Sequence, residues 1–541
     1  MKTLKIRLIS TVLVIALTAS CSAWNTKPPD GEPAGPVQSG DASPAPDENT
    51  NTEDNAGYTP SDSLFSLRFD PKASLNPLYS MSVSNADLWT LMYEGLFRLS
   101  PDLEAVPVLC ESYTCEDGLV YTFTIRQGII CHDGQELKAA DVEYSIDRAA
   151  HGKKYENRLT NVRAVHASGP YTLRLVLRNP DYLLPTLLDI PIIRQDSIAK
   201  TVPEGTGPYR LTEEKDGWVL EAWESHRDFA SLPVQRIYLK TVEDGYLARS
   251  FATREIDLLT RDLTGPVTLN LYAEYETRYM NTSSLVFFGF NTRRGAGADR
   301  AVRRAISALI DPVSLSQTCF KGTVTASPLV LSPALGGYDR AWEEFLPADY
   351  EALRDAADLR DTDNDGFWDR SKGARSLSIT VLVNDENAYK VRAAERLTEL
   401  LFRMGFRAET KSLPFEEYTK ALEAGQFDIF IGEALLMPNM DLSPLLKDGG
   451  KLNYFGSTDG KYGTLIDAVF AADTAEARSL ARQELCRYCA EEAVIIPVCY
   501  KNKAVMTHPG VISGIDPSPS GVFTGIADWT IYLDQKKEGD S

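Results

Sequence analysis

Residues 377–410, LSITVLVNDENAYKVRAAERLTELLFRMGFRAET, contain the clearest indication of the fold class. This stretch opens with an apolar run of strand length and closes with a second run of strand length at 406–410. Between them Gly405 marks a helix end, and apolar side chains recur at helical spacing at Val391, Ala394, Leu397, Leu401 and Met404. Strand, helix and strand in this order predict a βαβ unit, and therefore a parallel sheet whose ligands lie beyond the carboxyl ends of its strands.

Three other segments alternate apolar and polar residues with period two. They lie at 65–69, 121–126 and 171–175, and this pattern is typical of half-buried strands. Together with the βαβ unit they predict the α/β class.

Length and charge limit the possible functions. The chain has 541 residues, which is too many for one hydrophobic core, so we expect more than one domain. It carries 76 acidic and 56 basic side chains, a net charge of −20. A nucleic-acid-binding protein needs a basic footprint, so this class is excluded.

The first twenty residues have the pattern of a secretory signal. Basic residues at Lys2, Lys5 and Arg7 precede an apolar run at 8–17, and small residues lead to Cys21. Cys21 at the cleavage point predicts a lipoprotein signal peptide at 1–20 and lipidation of Cys21; the alternative is an ordinary signal peptide with an incidental cysteine. Residues 21–60 are rich in Pro, Gly, Ser, Asp and Asn, which predicts a disordered linker.

The remaining cysteines do not suggest a disulfide framework, because an odd number is spread over a long chain. Cys486 and Cys489 form a CxxC, but no second pair lies at zinc-site spacing. The segment around them has helical periodicity, and we predict that both are buried as small apolar side chains.

The search for catalytic motifs finds none. The five histidines form no HExxH pair and lie near no Gly-x-Ser-x-Gly elbow, and the chain has no phosphate-binding P-loop. Residues 361–369, DTDNDGFWD, follow the start of a calcium loop, but position twelve is Lys372, where a glutamate is expected. We predict a structural turn, and neither a metal site nor a cofactor.

A series of short motifs resembles the family 5 solute-binding proteins, the oligopeptide-, dipeptide- and nickel-binding receptors of ABC importers. The resemblance extends from about residue 63 to 530. The motifs lie at 75–77, 93–96, 107–113, 117–126, 132–134, 139–142, 205–209, 255–257, 290–292, 303–311, 427–430 and 496–498.

The resemblance implies a fold like that of the periplasmic binding proteins, with two hinged α/β lobes and an extra domain inserted in the first. The implied ranges are lobe I at 61–84, 191–289 and 506–541, an inserted domain at 85–190, and lobe II at 290–505. Residues 506–541 include the tail. Lobes of this kind close over a ligand by bending at the hinge.

The resemblance also implies ligand-binding residues. It places Asn76 and Tyr79 after the first strand, Tyr93 and Glu94 at the start of the inserted domain, and Asn291 at the entry to lobe II. Further candidates are Tyr209, Glu433 and Asp441. For Tyr209 and the glycine before it, a ligand contact and a backbone turn remain equal alternatives.

One departure from the family concerns the ligand. Peptide receptors carry a tryptophan and then an aspartate that holds the peptide ammonium, and here these positions fall at Glu433 and near Leu436. Asp441 lies further along the chain, and Leu435, Leu436, Met437 and Met440 are expected to form an apolar wall. A carboxylate at Glu433 or Asp441 that faces the cleft would favour a cationic group.

The predicted function is therefore capture of a peptide or peptide-like solute for an ABC permease, without enzymatic activity. We expect an extracytoplasmic monomer held at the membrane by its N-terminal lipid. The alternatives are a receptor for a metal chelate, an opine-like compound or a glycoside, and a sensory lipoprotein.

Overall fold

The computed structural model describes residues 64–267, 269–370 and 377–533. The predicted signal peptide, Cys21, the linker and Lys372 lie outside the described residues. No helix of the described part has the length and the apolar character needed to cross a bilayer.

The strands fall into one large sheet, two of four strands and three pairs. In chain order they are β1 (Ser66–Phe69), β2 (Phe97–Leu99), β3 (Ala105–Pro107), β4 (Cys110–Glu116), β5 (Val120–Ile125), β6 (Val162–Gly169), β7 (Thr172–Leu177), β8 (Tyr209–Glu214), β9 (Gly217–Ala222), β10 (Arg236–Thr241), β11 (Leu258–Asp262), β12 (Glu276–Phe290), β13 (Val324–Ala326), β14 (Leu359–Arg360), β15 (Asp369–Arg370), β16 (Ser378–Asn384), β17 (Arg407–Leu413), β18 (Ile429–Leu435), β19 (Ile495–Thr507), β20 (Ile512–Ser513) and β21 (Thr530–Ile531).

The α-helices differ widely in length, and the longest lie in lobe II. In chain order they are α1 (Val83–Ala86), α2 (Trp89–Met92), α3 (Ala139–Ala150), α4 (Leu247–Ala252), α5 (Arg300–Ser307), α6 (Pro312–Phe320), α7 (Tyr350–Ala356), α8 (Ala388–Arg403), α9 (Phe415–Glu423), α10 (Ser443–Leu446), α11 (Gly460–Ala471) and α12 (Ala475–Glu492).

The βαβ unit predicted from the opening stretch is confirmed. β16 pairs in parallel with β17, and α8 connects them. The Asn387 side chain accepts hydrogen bonds from the backbone N–H groups of residues 389 and 390 at the start of α8. At its other end Gly405 has a φ of +86°, a conformation that glycine adopts without strain.

Lobe I and the inserted domain each have a four-stranded sheet. In lobe I the order is β1-β10-β9-β8, with β1 parallel to β10. In the inserted domain it is β4-β5-β7-β6, all antiparallel. The three segments with period two therefore form β1, β5 and β7, which confirms them as strands.

The CxxC segment is also confirmed as part of a helix. Cys486 and Cys489 are buried on α12, and the seven cysteines of the described residues are free. Burial raises the pKa of the Cys486 thiol to about 12, so it stays protonated at neutral pH.

Two long strands connect the lobes. β12 and β19 pair antiparallel along most of their length, and β12 also pairs with β18 of lobe II while β19 pairs with β11. The pairing shifts register between Asn281 and Leu285, where β12 carries extra residues. Such a bulge disrupts the ladder locally, so we expect the lobes to bend at this point and call it the hinge. It lies several residues before the boundary implied at 289/290.

The lobes are in contact on the side of the inserted domain. The backbone N–H of Tyr182 donates to the carbonyl of Phe470 at 2.9 Å, and that of Gly336 donates to Asp102 at the same distance. Leu183 packs into the apolar core of lobe II. On this side, backbone hydrogen bonds and apolar packing close the space between the lobes, which is the candidate ligand cleft.

Candidate ligand cleft between the lobes

Lys501 lies on β19 next to the hinge, and carboxylates from both lobes surround its ammonium. Its Nζ is 2.5 Å from Asp262 Oδ2 of lobe I and 3.0 Å from Glu433 Oε1 of lobe II. Lys501 is only 8% exposed. Burial alone would lower its pKa, but Glu433 and Asp262 outweigh burial and raise it, so the side chain is charged.

Glu433 is the carboxylate of lobe II in this group. It forms an ion pair with Lys390 of the first turn of α8, whose Nζ is 3.0 Å from Glu433 Oε2. The hydroxyl of Ser284, a residue of the hinge bulge, donates a hydrogen bond to Glu433 Oε1 at 2.9 Å. Burial would raise its pKa, but the two lysines dominate and hold the pKa at about 2. Glu433 is therefore ionised and already neutralised by protein groups.

A second pair lies further along the same strand. Lys503 Nζ is 2.5 Å from Asp87 Oδ1, and the Thr260 hydroxyl donates to the other oxygen of Asp87. We call these six charged residues the interlobe charge cluster: Asp87, Asp262, Lys390, Glu433, Lys501 and Lys503. The cluster has three negative and three positive charges, and it joins both lobes at the hinge.

The start of α8 also contacts lobe I directly. Asn387 Nδ2 donates to the carbonyl of Thr264 at 2.9 Å. Since Lys390 lies in the first turn of α8, the N-terminal end of α8 and the carboxyl end of β18 together form the lobe II wall of the cleft. This agrees with the expected position of ligands beyond the carboxyl ends of parallel strands.

The predicted apolar wall is only partly present. Leu435 follows Glu433 on the same face of β18 and is 64% exposed. Leu436 and Met440 are instead buried in the core of lobe II, at 5% and 4% exposure. Leu436 points away from the cleft because successive side chains of a strand face opposite sides.

The structure does not bring the eight predicted ligand residues together. Glu433 belongs to the interlobe charge cluster. Asp441 lies apart from it, where its Oδ1 accepts a hydrogen bond from the backbone N–H of Ser443 at the start of α10. Across the lobe contact, burial raises the pKa of Asp181, and the charge of Asp441 adds a smaller contribution.

Three predicted residues are buried and bonded to backbone groups. The Tyr93 hydroxyl donates to the carbonyl of Pro203 at 2.9 Å, and that of Tyr209 donates to Val234 at 2.9 Å. The amide of Asn291 donates to two carbonyls, those of Gly425 and Phe427. These contacts position loops, and we leave the three side chains out of the proposed site.

The other three lie in lobe I and at the start of the inserted domain. Asn76 Oδ1 accepts from the N–H of Leu78 within a turn, whereas Tyr79 is 44% exposed. Glu94 pairs with Arg227 and lies 3.6 Å from His226. Burial would raise the pKa of Glu94, but hydrogen bonds with these two side chains lower it.

The turn before Tyr209 is a backbone feature. A Cβ on Gly207 would lie 2.4 Å from the carbonyl carbon of Met92, which leaves no room for a side chain. The Gly207 N–H donates to Met92 O at 3.0 Å, and its carbonyl lies 2.9 Å from His132 Nε2. The contacts favour the turn over the ligand contact for this motif.

Sequence reasoning missed five of the six cluster residues. One signal was available: Lys501 and Lys503 lie at positions i and i+2 of a mostly apolar strand, so both face one side of it. Two lysines on a mostly buried strand require carboxylate partners. The sequence does not tell which carboxylates these are.

Comparison with known proteins is consistent with this architecture. Residues 104–450 match the family model of the bacterial extracellular solute-binding proteins, family 5 middle region. The oligopeptide-binding protein AppA of Bacillus subtilis is 22% identical over 382 residues, which are 65% of this chain and 69% of AppA. The glutathione-binding protein GsiB of Escherichia coli K12 is 35% identical over 133 residues, 22% of this chain and 26% of GsiB.

A solved structure supports the fold. NikA from Brucella suis, in complex with Fe(III)-EDTA, superposes with a TM-score of 0.68 at 21% identity, over 87% of this chain and 100% of NikA. Family members are extracellular transport receptors and not enzymes. The chain therefore belongs to the family 5 extracellular solute-binding proteins, the solute receptors of ABC importers.

Proposed function

We propose that this receptor captures a peptide or peptide-like zwitterion between its lobes and delivers it to an ABC permease. The observation that carries the proposal is the interlobe charge cluster, which presents ammonium and carboxylate groups at the hinge from both lobes. A ligand with both kinds of charge can exchange with these pairs one for one.

Charge balance is the reason to favour a zwitterion. The cluster is neutral, so a ligand with a single charge would leave one group uncompensated after the cleft closes. An uncompensated charge in a closed cleft is costly. A ligand carboxylate can bind Lys390 or Lys501 while its ammonium binds Asp262 or Glu433, and the total stays zero.

The names of two relatives support the same ligand class. AppA is an oligopeptide-binding protein and GsiB a glutathione-binding protein. The aspartate that the resemblance implies for a peptide ammonium has no counterpart at the buried Leu436. We therefore assign the ammonium to the carboxylates of the cluster.

The hinge couples capture to transport. A ligand bound to charges of both lobes favours the closed form, because only that form makes both sets of contacts. The bulge in β12 lies beside Glu433, so the flexible point and the ligand charges are adjacent. The permease then recognises the closed receptor.

The ligand is tested by releasing it from purified protein and identifying it by mass spectrometry. We expect a molecule with both an amino and a carboxylate group. Titration calorimetry should then show that Glu433→Gln and Lys390→Met each weaken its binding about thirtyfold, or ~2 kcal/mol, because each leaves a charge unpaired.

Glu417→Gln is the matched control, since Glu417 is exposed on α9 outside the cluster, and its affinity should be unchanged. Unaltered affinity in both cluster variants would refute the proposed site. If mass spectrometry instead identifies a metal chelate, an opine-like compound or a glycoside, the ligand belongs to that class and the proposed zwitterion is wrong.

We also propose that Cys21 carries the membrane anchor and that the mature protein is a monomer. A thioether-linked diacylglycerol supplies two acyl chains, enough for stable anchoring. Cys21→Ser should leave the protein unprocessed or release it from the membrane, as fractionation and immunoblotting would detect. Normal processing and membrane retention of the variant would contradict the anchor.

A further inference from the structure

The hairpin between β14 and β15 in lobe II concentrates negative charge. Its loop and the first residue of β15 contain four aspartates in nine positions: Asp361, Asp363, Asp365 and Asp369. One of the four, Asp365, forms an ion pair: Arg407 Nη2 lies 2.6 Å from its Oδ2. The other three carboxylates form no ion pair with another described residue.

These three carboxylates converge. One oxygen each of Asp361, Asp363 and Asp369 lies within 4.8 Å of the other two. Calcium binds oxygen at 2.3–2.6 Å, so two ligands of one ion are at most about 5 Å apart. The three oxygens thus already fit around a single calcium ion.

Asp369 provides independent evidence for a ligand. It is 1% exposed, and its Oδ2 accepts hydrogen bonds from the backbone N–H and the hydroxyl of Thr362, at 3.0 Å and 2.5 Å. Its Oδ1 is buried and has no hydrogen-bond partner in the described part of the chain. A buried carboxylate oxygen without a partner is unfavourable, and a cation would satisfy it.

The loop is held firmly on lobe II. The N–H of Trp368 donates to the carbonyl of Gly405 at 2.7 Å, and its indole N–H donates to that of Met404, just after α8. Both carboxylate oxygens of Asp361 also accept hydrogen bonds: Oδ1 from the N–H of Asp365 and Oδ2 from that of Gly366. The oxygens are therefore positioned before any ion binds.

We propose that Asp361, Asp363 and Asp369 bind a calcium ion. The pattern of the sequence favoured a purely structural turn because Lys372 replaces the bidentate glutamate, and the unpartnered oxygen of Asp369 is what favours an ion. Because the loop lacks this glutamate, we expect a calcium dissociation constant of about 10⁻⁴–10⁻³ M, the range of extracellular calcium-binding modules. The ion cross-links the loop of the hairpin to the start of β15 and stabilises the folded protein.

The test is thermal unfolding of the full-length protein after chelation, with calcium added back. We expect 5 mM calcium to raise the melting temperature by several degrees, because an ion that binds only the folded state stabilises it. Magnesium should have a smaller effect, since it demands stricter geometry. Calorimetry should show one site, weakened at least tenfold in Asp363→Asn and also in Asp361→Asn.

Two further variants sharpen the result. Asp216→Asn, in an exposed turn of lobe I, is the matched control and should leave calcium binding unchanged. Arg407→Gln removes the cation that pairs with Asp365 in the same loop and should therefore strengthen calcium binding. Absence of calcium binding in the unmodified protein, or full binding in both Asp363→Asn and Asp361→Asn, would overturn the proposal.

Discussion

Replacing Lys501 with methionine is expected to lower the free energy of unfolding by about 1–3 kcal/mol. The side chain keeps its length, but Asp262 and Glu433 lose the ammonium that lies between them. Water reaches Asp262, which is 40% exposed, and Glu433 keeps Lys390, so the cost stays below that of an isolated buried charge. We expect loss of ligand binding as well, because the same carboxylates form the proposed site.

Denaturation by urea, followed by circular dichroism at neutral pH, measures this effect. The matched control is Lys447→Met, whose ammonium lies 2.5 Å from Asp467 at the surface. Exposed pairs contribute little, so this variant should change stability by less than about 1 kcal/mol. Adding Glu433→Gln to Lys501→Met should recover part of the loss. Equal effects of the two lysine variants would contradict the assigned role of Lys501.

Replacing Asp181 with asparagine is expected to stabilise the protein at neutral pH and to leave it nearly unchanged at pH 4. Asp181 is 5% exposed, and burial, with a smaller contribution from Asp441, raises its pKa to about 6. Its Oδ1 accepts from the N–H of Leu183 at 2.8 Å, a bond that asparagine can retain.

The sign follows from proton binding. Between the unfolded pKa near 3.8 and the folded value of about 6, the folded state binds more protons, so stability falls as pH rises through this window. Each pKa unit corresponds to 1.36 kcal/mol, which gives about 3 kcal/mol lost by pH 7. Asparagine does not titrate, and the variant avoids this loss.

Unfolding by urea at pH 4, 5, 6 and 7 tests the prediction. The two curves should lie closest at pH 4 and diverge between pH 4 and pH 6, the window set by the unfolded and folded pKa values. Asp441→Asn should lower the pKa of Asp181 and reduce the divergence, whereas Asp467→Asn, an exposed carboxylate of the same lobe, should not. Parallel curves for Asp181→Asn and the unmodified protein would show that Asp181 is ionised throughout.

Asp181 lies at the contact that closes one side of the cleft. Its neighbour Tyr182 bonds to Phe470, and Leu183 enters the core of lobe II. Ionisation of Asp181 therefore opposes the contact between the inserted domain and lobe II. Mild acid should favour the closed arrangement on this side.

Elements whose signals are local could be predicted from the sequence. The period of the apolar residues from Val391 to Met404 and the stop at Gly405 located α8, which spans Ala388–Arg403. Period-two alternation located β1, β5 and β7. These predictions succeed because the buried residues of a helix or a strand recur with the period of that element. This period can be read from residues that are close in the sequence.

Which charged side chains pair with one another follows from the tertiary fold and not from any local pattern. Glu433 and Lys501 are 68 positions apart and Asp87 and Lys503 are 416 apart, yet each pair lies within hydrogen-bonding distance at the hinge. The choice between Glu433 and Leu436 as the residue facing the cleft also depended on the pleat of β18 in its final register. A side chain's partners depend on how distant strands align, and no local pattern encodes that alignment.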